Sequence, residues 1–330
     1  MAVPYTNIFA TTIKHYVRQL ADNVTTHIPI IKAMKDKNNI KVQGGTSIQF
    51  PMEYGDNTSV MSYEGYTTLN ITDDEIITAG EVRWGRYNVA IQYSDDDEAF
   101  NSGDAKIVDF IEARIKNAER SLIKRLGKDI ILDGSGNAGK DMYGLAYYLS
   151  KDPTAAGTVA GVDQLANAWW RNKVVDNATY GAWGSATNKN GRQAVEDLFT
   201  QLVRNEEFPD MAFMSRTNYR NLKKEFELSE IYQPVVTDGT KKKEYGSRGF
   251  SFDGVDMLFD DNFSAANANA DLLYALNSNY MKLYIHSKKN FQYIPMIRPI
   301  NQASFVGHIR VYLNLVCTNR FLQGVVKTIS

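Results

Sequence analysis

The segment Gly134–Asp141, "GSGNAGKD", has the glycine spacing of two phosphate-binding motifs. It matches G-x-x-x-x-G-K, and Gly134, Gly136 and Gly139 also satisfy G-x-G-x-x-G. The first motif continues with Ser or Thr, whose hydroxyl ligates magnesium, whereas Asp141 would set a carboxylate against the phosphates. Both motifs also follow a buried strand, but "GKDIILD" continues a helical pattern. The segment therefore predicts a glycine turn, and a nucleotide-binding enzyme is the alternative of a different class.

Two acidic clusters could supply metal ligands or paired carboxylates. In "SDDDEAFNSGD", Asp95–Glu98 lack the Gly and Glu spacing of a calcium loop, which favours a solvated face or a helix entry. The second cluster, in "FDGVDMLFDDN", comprises Asp253, Asp256, Asp260 and Asp261. Its Asp-Gly pair favours a hairpin turn over acid–base chemistry.

The other reactive side chains form no recognisable site. The histidines, which lack metal-ligand spacing, are His15, His27, His286 and His308. Ser215 and Cys317 stand in no nucleophile motif, and a single cysteine excludes intramolecular disulfides and a Cys-based zinc site. We therefore expect no catalytic residue, no cofactor, no metal and no enzymatic activity.

Length and composition restrict the class of protein. The 330 residues exceed the size of roughly 250–300 residues at which one core stops growing, so we expect two or more subdomains. The 37 basic and 38 acidic residues give no overall attraction to nucleic acid or membrane. Charges interrupt the apolar residues of the N-terminal segment, and no run has the roughly 18 apolar residues of a membrane span. These features predict a cytosolic product.

Residues 1–41 form a mildly basic arm, with six basic residues against two acidic ones. Such an excess is typical either of a solvated surface or of contact with nucleic acid. The candidate residues, which would either face DNA or make the contacts of the arm, are Lys14, Arg18, Lys32, Lys35 and Lys37.

Two strand-like runs, "TSIQFPMEY" and "EVRWGRYNVAIQYS", enclose some 25 residues that could fill little of a core. Loops longer than about 12–15 residues are uncommon in compact domains, so this pattern predicts a long hairpin that projects from the body. Aromatic residues on a projecting element favour contact with a partner. The candidates for contacts between subunits are Phe50, Tyr54, Tyr63, Tyr66, Trp84 and Tyr87.

The rest of the chain has an α+β pattern. Apolar or small residues at positions 107, 111, 115, 118, 122 and 126 predict one long amphipathic helix over about 103–130. Helices and short strands then alternate to about residue 275. In "SFVGHIRVYLNLVCTNRFLQGVV" the apolar residues keep one parity, which predicts a long final strand.

The order of these parts resembles the major capsid proteins of tailed bacteriophages. Their Johnson-type fold, the Hong Kong ninety-seven-like fold, is shared with herpesvirus capsids and encapsulins. The resemblance rests on "GGTSIQFPMEY", the long helix followed by "DGSG…YGLA", the "GFSFDGVDMLFDDN" hairpin, and "LLYALNSNYMKLYI" leading to "NRFLQGVV". It implies an N-terminal arm (1–41), an extended β-hairpin loop (42–96), a spine helix of the peripheral domain (97–140), an axial domain (141–275) and peripheral-domain strands (276–330).

The resemblance also implies a function. The protein would self-assemble into hexamers and pentamers of an icosahedral or prolate shell around packaged double-stranded DNA, as a virion capsid protein made in the bacterial cytoplasm. The extended loop would lie on the neighbouring subunit. Because no domain of about a hundred residues precedes the arm, we expect either a separate scaffolding protein or unaided assembly. The other expected partners are a portal and a decoration protein. An encapsulin-like nanocompartment shell is the nearest alternative.

Some capsids of this class link their subunits through a lysine of the extended loop, but here no lysine lies between Lys41 and Lys106. Because the loop has no amine to form an isopeptide bond, we predict a non-covalent shell. Particles boiled in detergent should release monomers of 37.2 kDa on a denaturing gel. A ladder of covalent multimers would contradict this prediction.

Overall fold

The computed structural model describes residues 28–55, 57–69, 71, 75–94, 96, 104–184, 189–227, 250–264, 269–300, 302–327 and 329, with residues 104–112 described by their backbone alone. Its helices are α1 (Pro29–Asp36), α2 (Asp104–Asp129), α3 (Leu145–Tyr148), α4 (Asn190–Leu202) and α5 (Arg216–Glu227). Single 3-10 turns occur at Ala168–Trp170, Asn177–Thr179, Ser278–Tyr280 and Ser287–Lys289. No helix of this described part is long and apolar enough to cross a membrane.

The strands belong to two large sheets and two small ones. They are β1 (Ile40–Gln43), β2 (Ile48–Glu53), β3 (Ile77–Val82), β4 (Gly85–Ser94), β5 (Thr158–Val159), β6 (Val162–Asp163), β7 (Lys173–Asp176), β8 (Met211–Met214), β9 (Phe250–Phe252), β10 (Val255–Phe259), β11 (Leu273–Leu276), β12 (Met281–His286), β13 (Gln292–Ile297), β14 (Ser304–Cys317) and β15 (Gly324–Lys327).

Strand β14 lies at the centre of a five-stranded sheet. The order is β1-β12-β14-β13, and β4 pairs with β14 as well. Every second residue of β14 from Ile309 to Cys317 is at most 2% exposed. The alternation follows the one-parity pattern of the sequence as far as Leu313, and beyond it Asn314 and Val316 are buried as well. The predicted long strand is confirmed over Ser304–Cys317, whereas the end of the same run forms a separate strand, β15.

Helix α2 packs against β4 of this sheet. Its 26 residues span about 39 Å at ~1.5 Å per residue. The described residues of its predicted apolar face, Ile115, Ala118, Leu122 and Leu126, are at most 8% exposed. The predicted helix is therefore confirmed, and it buries the face that the spacing indicates.

The second large sheet is buried on both faces. Its strand order is β7-β15-β11-β8-β10-β9. In β8, Ala212 and Met214 pack into the cluster that holds α4 and α5, whereas Met211 and Phe213 join the core of the five-stranded sheet. The two sheets thus share one continuous apolar layer, which fixes each part of the chain against the other.

The predicted Asp-Gly hairpin connects β9 and β10. Asp253 and Gly254 occupy the turn with φ of 53° and 81°, and Val255 pairs with Phe252 across it. Positive φ at both central residues is the geometry that favours Asp-Gly in two-residue turns. The turn interpretation of this acidic cluster is confirmed.

The strand-like run after the projecting loop divides into two strands in different sheets. β3 pairs with β2, but β4 pairs with β14. The division falls between Trp84 and Gly85. Before it the buried residues have even numbers (Val82 and Trp84), and after it they have odd numbers (Gly85 and Tyr87). The face of the chain that is buried therefore changes at this point. A Cβ on Gly85 would lie 2.7 Å from the Cβ of Met142 and 2.9 Å from the carbonyl oxygen of Leu313, so only glycine fits this crossing.

The final strand also departs from the expected division of the chain. We expected residues 276–330 in one peripheral domain, but β15 pairs with β7 and β11 in the six-stranded sheet. The pairing is non-local: β7 lies about 150 positions earlier in the sequence. The pattern of apolar residues in β15 does not predict which sheet the strand joins.

A close backbone crossing joins helix α2 to the segment that follows it. The amide of Leu145 donates to the carbonyl of Ile130 at 2.7 Å, and that of Ala146 donates to Ile131 at 3.0 Å. A Cβ on Gly144 would lie 2.4–2.5 Å from three carbonyl oxygens, those of Asp129, Ile130 and Leu132. Backbone atoms cannot rotate away as a side chain can.

Gly144→Ala should therefore lower the free energy of unfolding by about 3 kcal/mol or more, because the added methyl group must displace the backbone. The matched control is Gly161→Ala, where a Cβ meets nothing within 4 Å but φ is +87°. The control should lose only about 1–2 kcal/mol, the cost of the left-handed conformation. Urea unfolding of the unassembled protein measures both values, and equal losses would contradict the steric argument.

Candidate assembly surfaces

The glycine segment resembling a phosphate loop is a tight turn after α2. Gly134, Asn137, Ala138 and Gly139 all have positive φ. The side chain of Asp133 accepts from the amide and the hydroxyl of Ser135, at 3.0 and 2.7 Å. The segment follows the end of a helix, as predicted, and not a buried strand. It lacks the strand–loop–helix context that phosphate binding by these motifs requires.

Asp141 stands at the position where a phosphate loop has a Ser or Thr hydroxyl. Here it forms contacts within its own chain. It is 6% exposed and forms a short ion pair with Arg125. The Arg83 guanidinium donates to its backbone carbonyl at 2.7 Å. A carboxylate held in this way closes the turn onto α2, and its negative charge would repel a nucleotide phosphate.

Arg125 also connects Asp141 to a second carboxylate. Its Nε donates to Asp129 Oδ2 at 2.8 Å, and the Tyr87 hydroxyl donates to the same oxygen at 2.8 Å. The backbone amide of Met142 donates to that hydroxyl at 3.1 Å. Burial, with a contribution from the nearby Asp141 charge, raises the pKa of the Asp129 carboxyl. This network ties α2, β4 and the glycine turn together.

The tip of the β2–β3 hairpin is exposed. The described residues from 57 to 71 are exposed except Ser59. The exposed fractions are 84% for Val60, 70% for Tyr63, 107% for Tyr66 and 96% for Ile71. Several exposed apolar side chains on one element are typical of a surface that binds a partner. The tip therefore has the composition of a contact surface that its own chain leaves uncovered.

The predicted contact residues divide into two groups. Phe50, Trp84 and Tyr87 are at most 8% exposed and pack in their own chain, so their side chains are not available to a neighbour. The reason is that β2, β3 and β4 run back to the body, where Phe50 covers Gly80. Tyr63 and Tyr66 lie on the exposed tip.

The sixth predicted residue, Tyr54, lies where the tip meets the hairpin stem. It is 36% exposed and stacks on Trp169, with ring centroids 5.3 Å apart. The sequence reasoning missed the aliphatic residues of the tip, which are Val60, Met61, Leu69, Ile71 and, on β3, Ile77. The sequence did indicate their exposure, because these apolar residues are scattered among Ser, Thr and Asn in a projecting loop, where no core is present to bury them.

An open groove of about 580 Å³ lies beside the outer end of the hairpin stem, where Glu53, Tyr54 and Gly55 line it. Its aromatic lining residues are Tyr54, Trp169, Trp170, Tyr280 and Phe321. Two cations contact Phe321: Lys173 Nζ lies 3.9 Å and the Arg204 guanidinium 4.2 Å from the ring centroid. Burial, and to a smaller extent the Arg204 charge, lowers the pKa of Lys173. The groove thus combines aromatic walls with positive charge, and Glu53 adds one acidic group on the stem side.

The groove wall is held rigid from behind by a buried arginine. Arg320 is 0% exposed and donates to the carbonyl of Tyr148, to Gln164 Oε1 at 3.2 Å and to Asn172 Oδ1 at 3.1 Å. Burial lowers the pKa of its guanidinium to about 10. These bonds fix the turn that carries Phe321, so the lining is preorganised.

The basic residues of the arm are only partly covered by the structure. Lys14 and Arg18 lie outside the described residues. Lys32 and Lys35 lie on α1, which buries Ile30, Ile31, Ala33 and Met34 against the body. Lys37 forms a short ion pair with Asp210, so this candidate for a DNA contact instead binds the six-stranded sheet of its own chain.

The other candidate reactive groups have structural roles. Asp260 accepts from Asn262, and Asp261 pairs with Arg216 at 2.7 Å. His286 caps a 3-10 turn through Lys288 N at 3.1 Å. Cys317 is buried, which raises the pKa of its thiol to about 12. Among the described residues no group of His, Cys, Asp and Glu could hold a metal ion. Most of Asp95–Glu98, with His15 and His27, lies outside those residues.

Solved structures share this architecture over nearly their whole length. The capsid of cyanophage A-1(L) is 15% identical, with a TM-score of 0.65, covering 88% of this chain and 90% of that chain. The capsid of a native GTA particle is 14% identical with a TM-score of 0.56, covering 90% of both chains. The chain has the capsid fold of tailed phages.

Encapsulins have this capsid fold as well. The SrpI encapsulin complex of Synechococcus elongatus PCC 7942 is 8% identical with a TM-score of 0.54, covering 89% of this chain and 86% of that chain. No protein-family model and no curated protein matches the sequence. The predicted α+β capsid fold is confirmed by architecture rather than by sequence similarity.

Asp129→Asn provides a test of the network that fixes α2. A carboxyl whose pKa is raised in the folded state binds its proton more tightly there than in the unfolded chain, so protonation stabilises the fold. As pH falls from 7 towards the ordinary Asp range near about 4, wild type should gain stability relative to Asp129→Asn. Thermal melting of both proteins across this range measures the difference. A difference that is independent of pH, or that turns against wild type, would contradict the raised pKa.

Proposed function

We propose that the protein is a major capsid protein that assembles into hexamers and pentamers of a closed icosahedral or prolate shell around double-stranded DNA. The five-stranded sheet and α2 form its peripheral domain, the six-stranded sheet with α4 and α5 forms its axial domain, and the hairpin reaches a neighbouring subunit. The chain acts as a structural subunit and not as an enzyme.

One observation carries the proposal: the capsid fold includes a hairpin whose exposed apolar tip finds no cover in its own chain. The stem packs into the core of its own chain, but the exposed apolar side chains of the tip leave water only when another subunit covers them. Contacts repeated around a shell can each be weak, because every subunit makes several at once. The similar structures are capsids, which supports self-assembly and a place in the virion capsid.

The proposed function also includes contacts of the arm, partner proteins and a place of assembly. The N-terminal arm, with Lys14, Arg18, Lys32 and Lys35, would contact DNA or neighbouring arms, and assembly would take place in the bacterial cytoplasm. A scaffolding protein, a portal and a decoration protein are the expected partners. An encapsulin-like shell is the second candidate, favoured by the similarity to the SrpI encapsulin complex. Enclosed protein cargo in place of DNA would identify it.

Electron microscopy and sedimentation of the concentrated protein test the proposal. Wild type should form closed shells, or free hexamers and pentamers. A variant with Tyr63→Ser, Tyr66→Ser and Ile71→Ser should lose these assemblies and keep its melting temperature, because the three side chains are exposed.

Leu165→Ser is the matched control, since Leu165 is exposed to 51% but lies outside the hairpin. It should assemble like wild type. A wild-type protein that stays monomeric at high concentration and sediments like the tip variant would contradict a shell-forming function.

A further inference from the structure

The tip of the hairpin contains a preformed turn. The amide of Thr67 donates to the Glu64 carbonyl at 2.8 Å, and the Thr67 hydroxyl donates to the same carbonyl at 2.7 Å. The amide of Glu64 donates back to the Thr67 hydroxyl at 3.1 Å. Glu64 is exposed, and the exposed residues Tyr63 and Tyr66 lie close to it in the sequence of this turn. Because the turn is already ordered, binding through it costs little further conformational entropy.

Glu64 is the charged residue of this tip. Between residues 57 and 71 the sequence contains no Lys, Arg or Asp. No ion pair involves its carboxylate among the described residues. The tip therefore presents one negative charge flanked by two aromatic rings.

The groove beside the outer end of the stem has the opposite charge. Lys173 and Arg204 both contact the ring of Phe321, and among the described residues neither forms an ion pair. The mutual repulsion of these cations is a cost that a carboxylate would relieve. Tyr54 and Trp169, stacked on each other, form an aromatic wall of the same groove.

We propose that this groove receives the Tyr63–Tyr66 tip of a second copy of the chain, with Glu64 pairing with Arg204 and Lys173. The inference rests on the proposed function and identifies the receiving surface for the hairpin. Tyr63 and Tyr66 pack against the groove aromatics, and the carboxylate reaches the two cations beside Phe321. Tyrosine combines a large apolar area with a polar hydroxyl, which suits such a half-open site.

The geometry of one chain favours a partner copy over the chain's own tip. No described residue of the tip lines the groove, although Tyr54 and Gly55 at the outer end of the stem do. Tyr63 and Tyr66 are 70% and 107% exposed, so the chain's own tip does not occupy the groove. Tip and groove are different surfaces, so their pairing is head-to-tail. A head-to-tail contact closes into a ring when the rotation between copies permits, which is the arrangement that hexamers and pentamers need.

A charge exchange tests the pairing. Glu64→Arg and Arg204→Glu should each raise the concentration required for assembly about tenfold or more, because each places like charges together in every copy of the contact. The double variant Glu64→Arg/Arg204→Glu should recover most of the loss. The control Glu81→Arg reverses an exposed charge on the hairpin stem and should assemble like wild type. Additive losses without recovery would overturn the proposal.

A disulfide provides an independent measurement. The native Cys317 is 0% exposed, so Glu64→Cys/Arg204→Cys adds the only accessible thiols among the described residues. Oxidised assemblies of this variant should run on a non-reducing gel as ladders ending at pentamer and hexamer, and the single variants should yield no ladder. Monomers with an internal disulfide would place the chain's own tip in the groove and overturn the proposal, as would bands that stop at dimers.

The receiving surface and the shell-forming function can be disproved separately. If wild type forms shells but neither charge recovery nor a ladder occurs, the groove has a different occupant, such as a scaffolding protein, and the proposed function stands. If wild type forms no oligomer at any concentration and the double cysteine variant stays monomeric, both the receiving surface and the shell-forming function are wrong.

Discussion

The hairpin of β2 and β3 cannot bury its own tip, and this constraint organises the rest of the structure. Its stem is fixed where Phe50 covers Gly80 and Trp84 donates to the Gly45 carbonyl at 3.1 Å. Beyond the stem, apolar side chains face water, an arrangement that a second chain can relieve by covering them. The body must therefore be rigid enough to hold an element whose stabilising contacts lie outside the monomer.

That rigidity comes from polar networks placed where elements meet. The Tyr87, Asp129, Arg125 and Asp141 network fixes the end of α2 against β4, and Lys37 with Asp210 ties the end of α1 to the six-stranded sheet. Arg125 is 44% exposed whereas its partners Asp129 and Asp141 are buried, so the pairs add little net stability, but removing the arginine would leave two buried carboxylates without their cation. The ion pairs specify one arrangement, and subunits of a closed shell need consistent geometry more than high individual stability.

Local patterns in the sequence predicted local structure well. The parity of β14, the spacing of the α2 face and the Asp-Gly turn before β10 each follow from the geometry of one element. Non-local pairing was not predictable. The change of parity at Trp84–Gly85 and the sheet that receives β15 depend on partners about 150–230 positions away. Burial of Phe50 and Tyr87 likewise depends on the residues that pack over them. The sequence therefore could not separate these buried aromatic residues from the exposed ones at the tip, and the structure was needed to do so.

Hydrogen–deuterium exchange before and after assembly tests most directly the claim that a neighbouring subunit stabilises the hairpin. Amides of residues 57–71 should exchange quickly in the unassembled protein and become protected in assembled shells or capsomers, because their exposed backbone gains a covering surface. Strands β8 and β11, buried in the monomer, should show the same protection in both states. Rapid exchange of residues 57–71 in assembled particles would contradict the account.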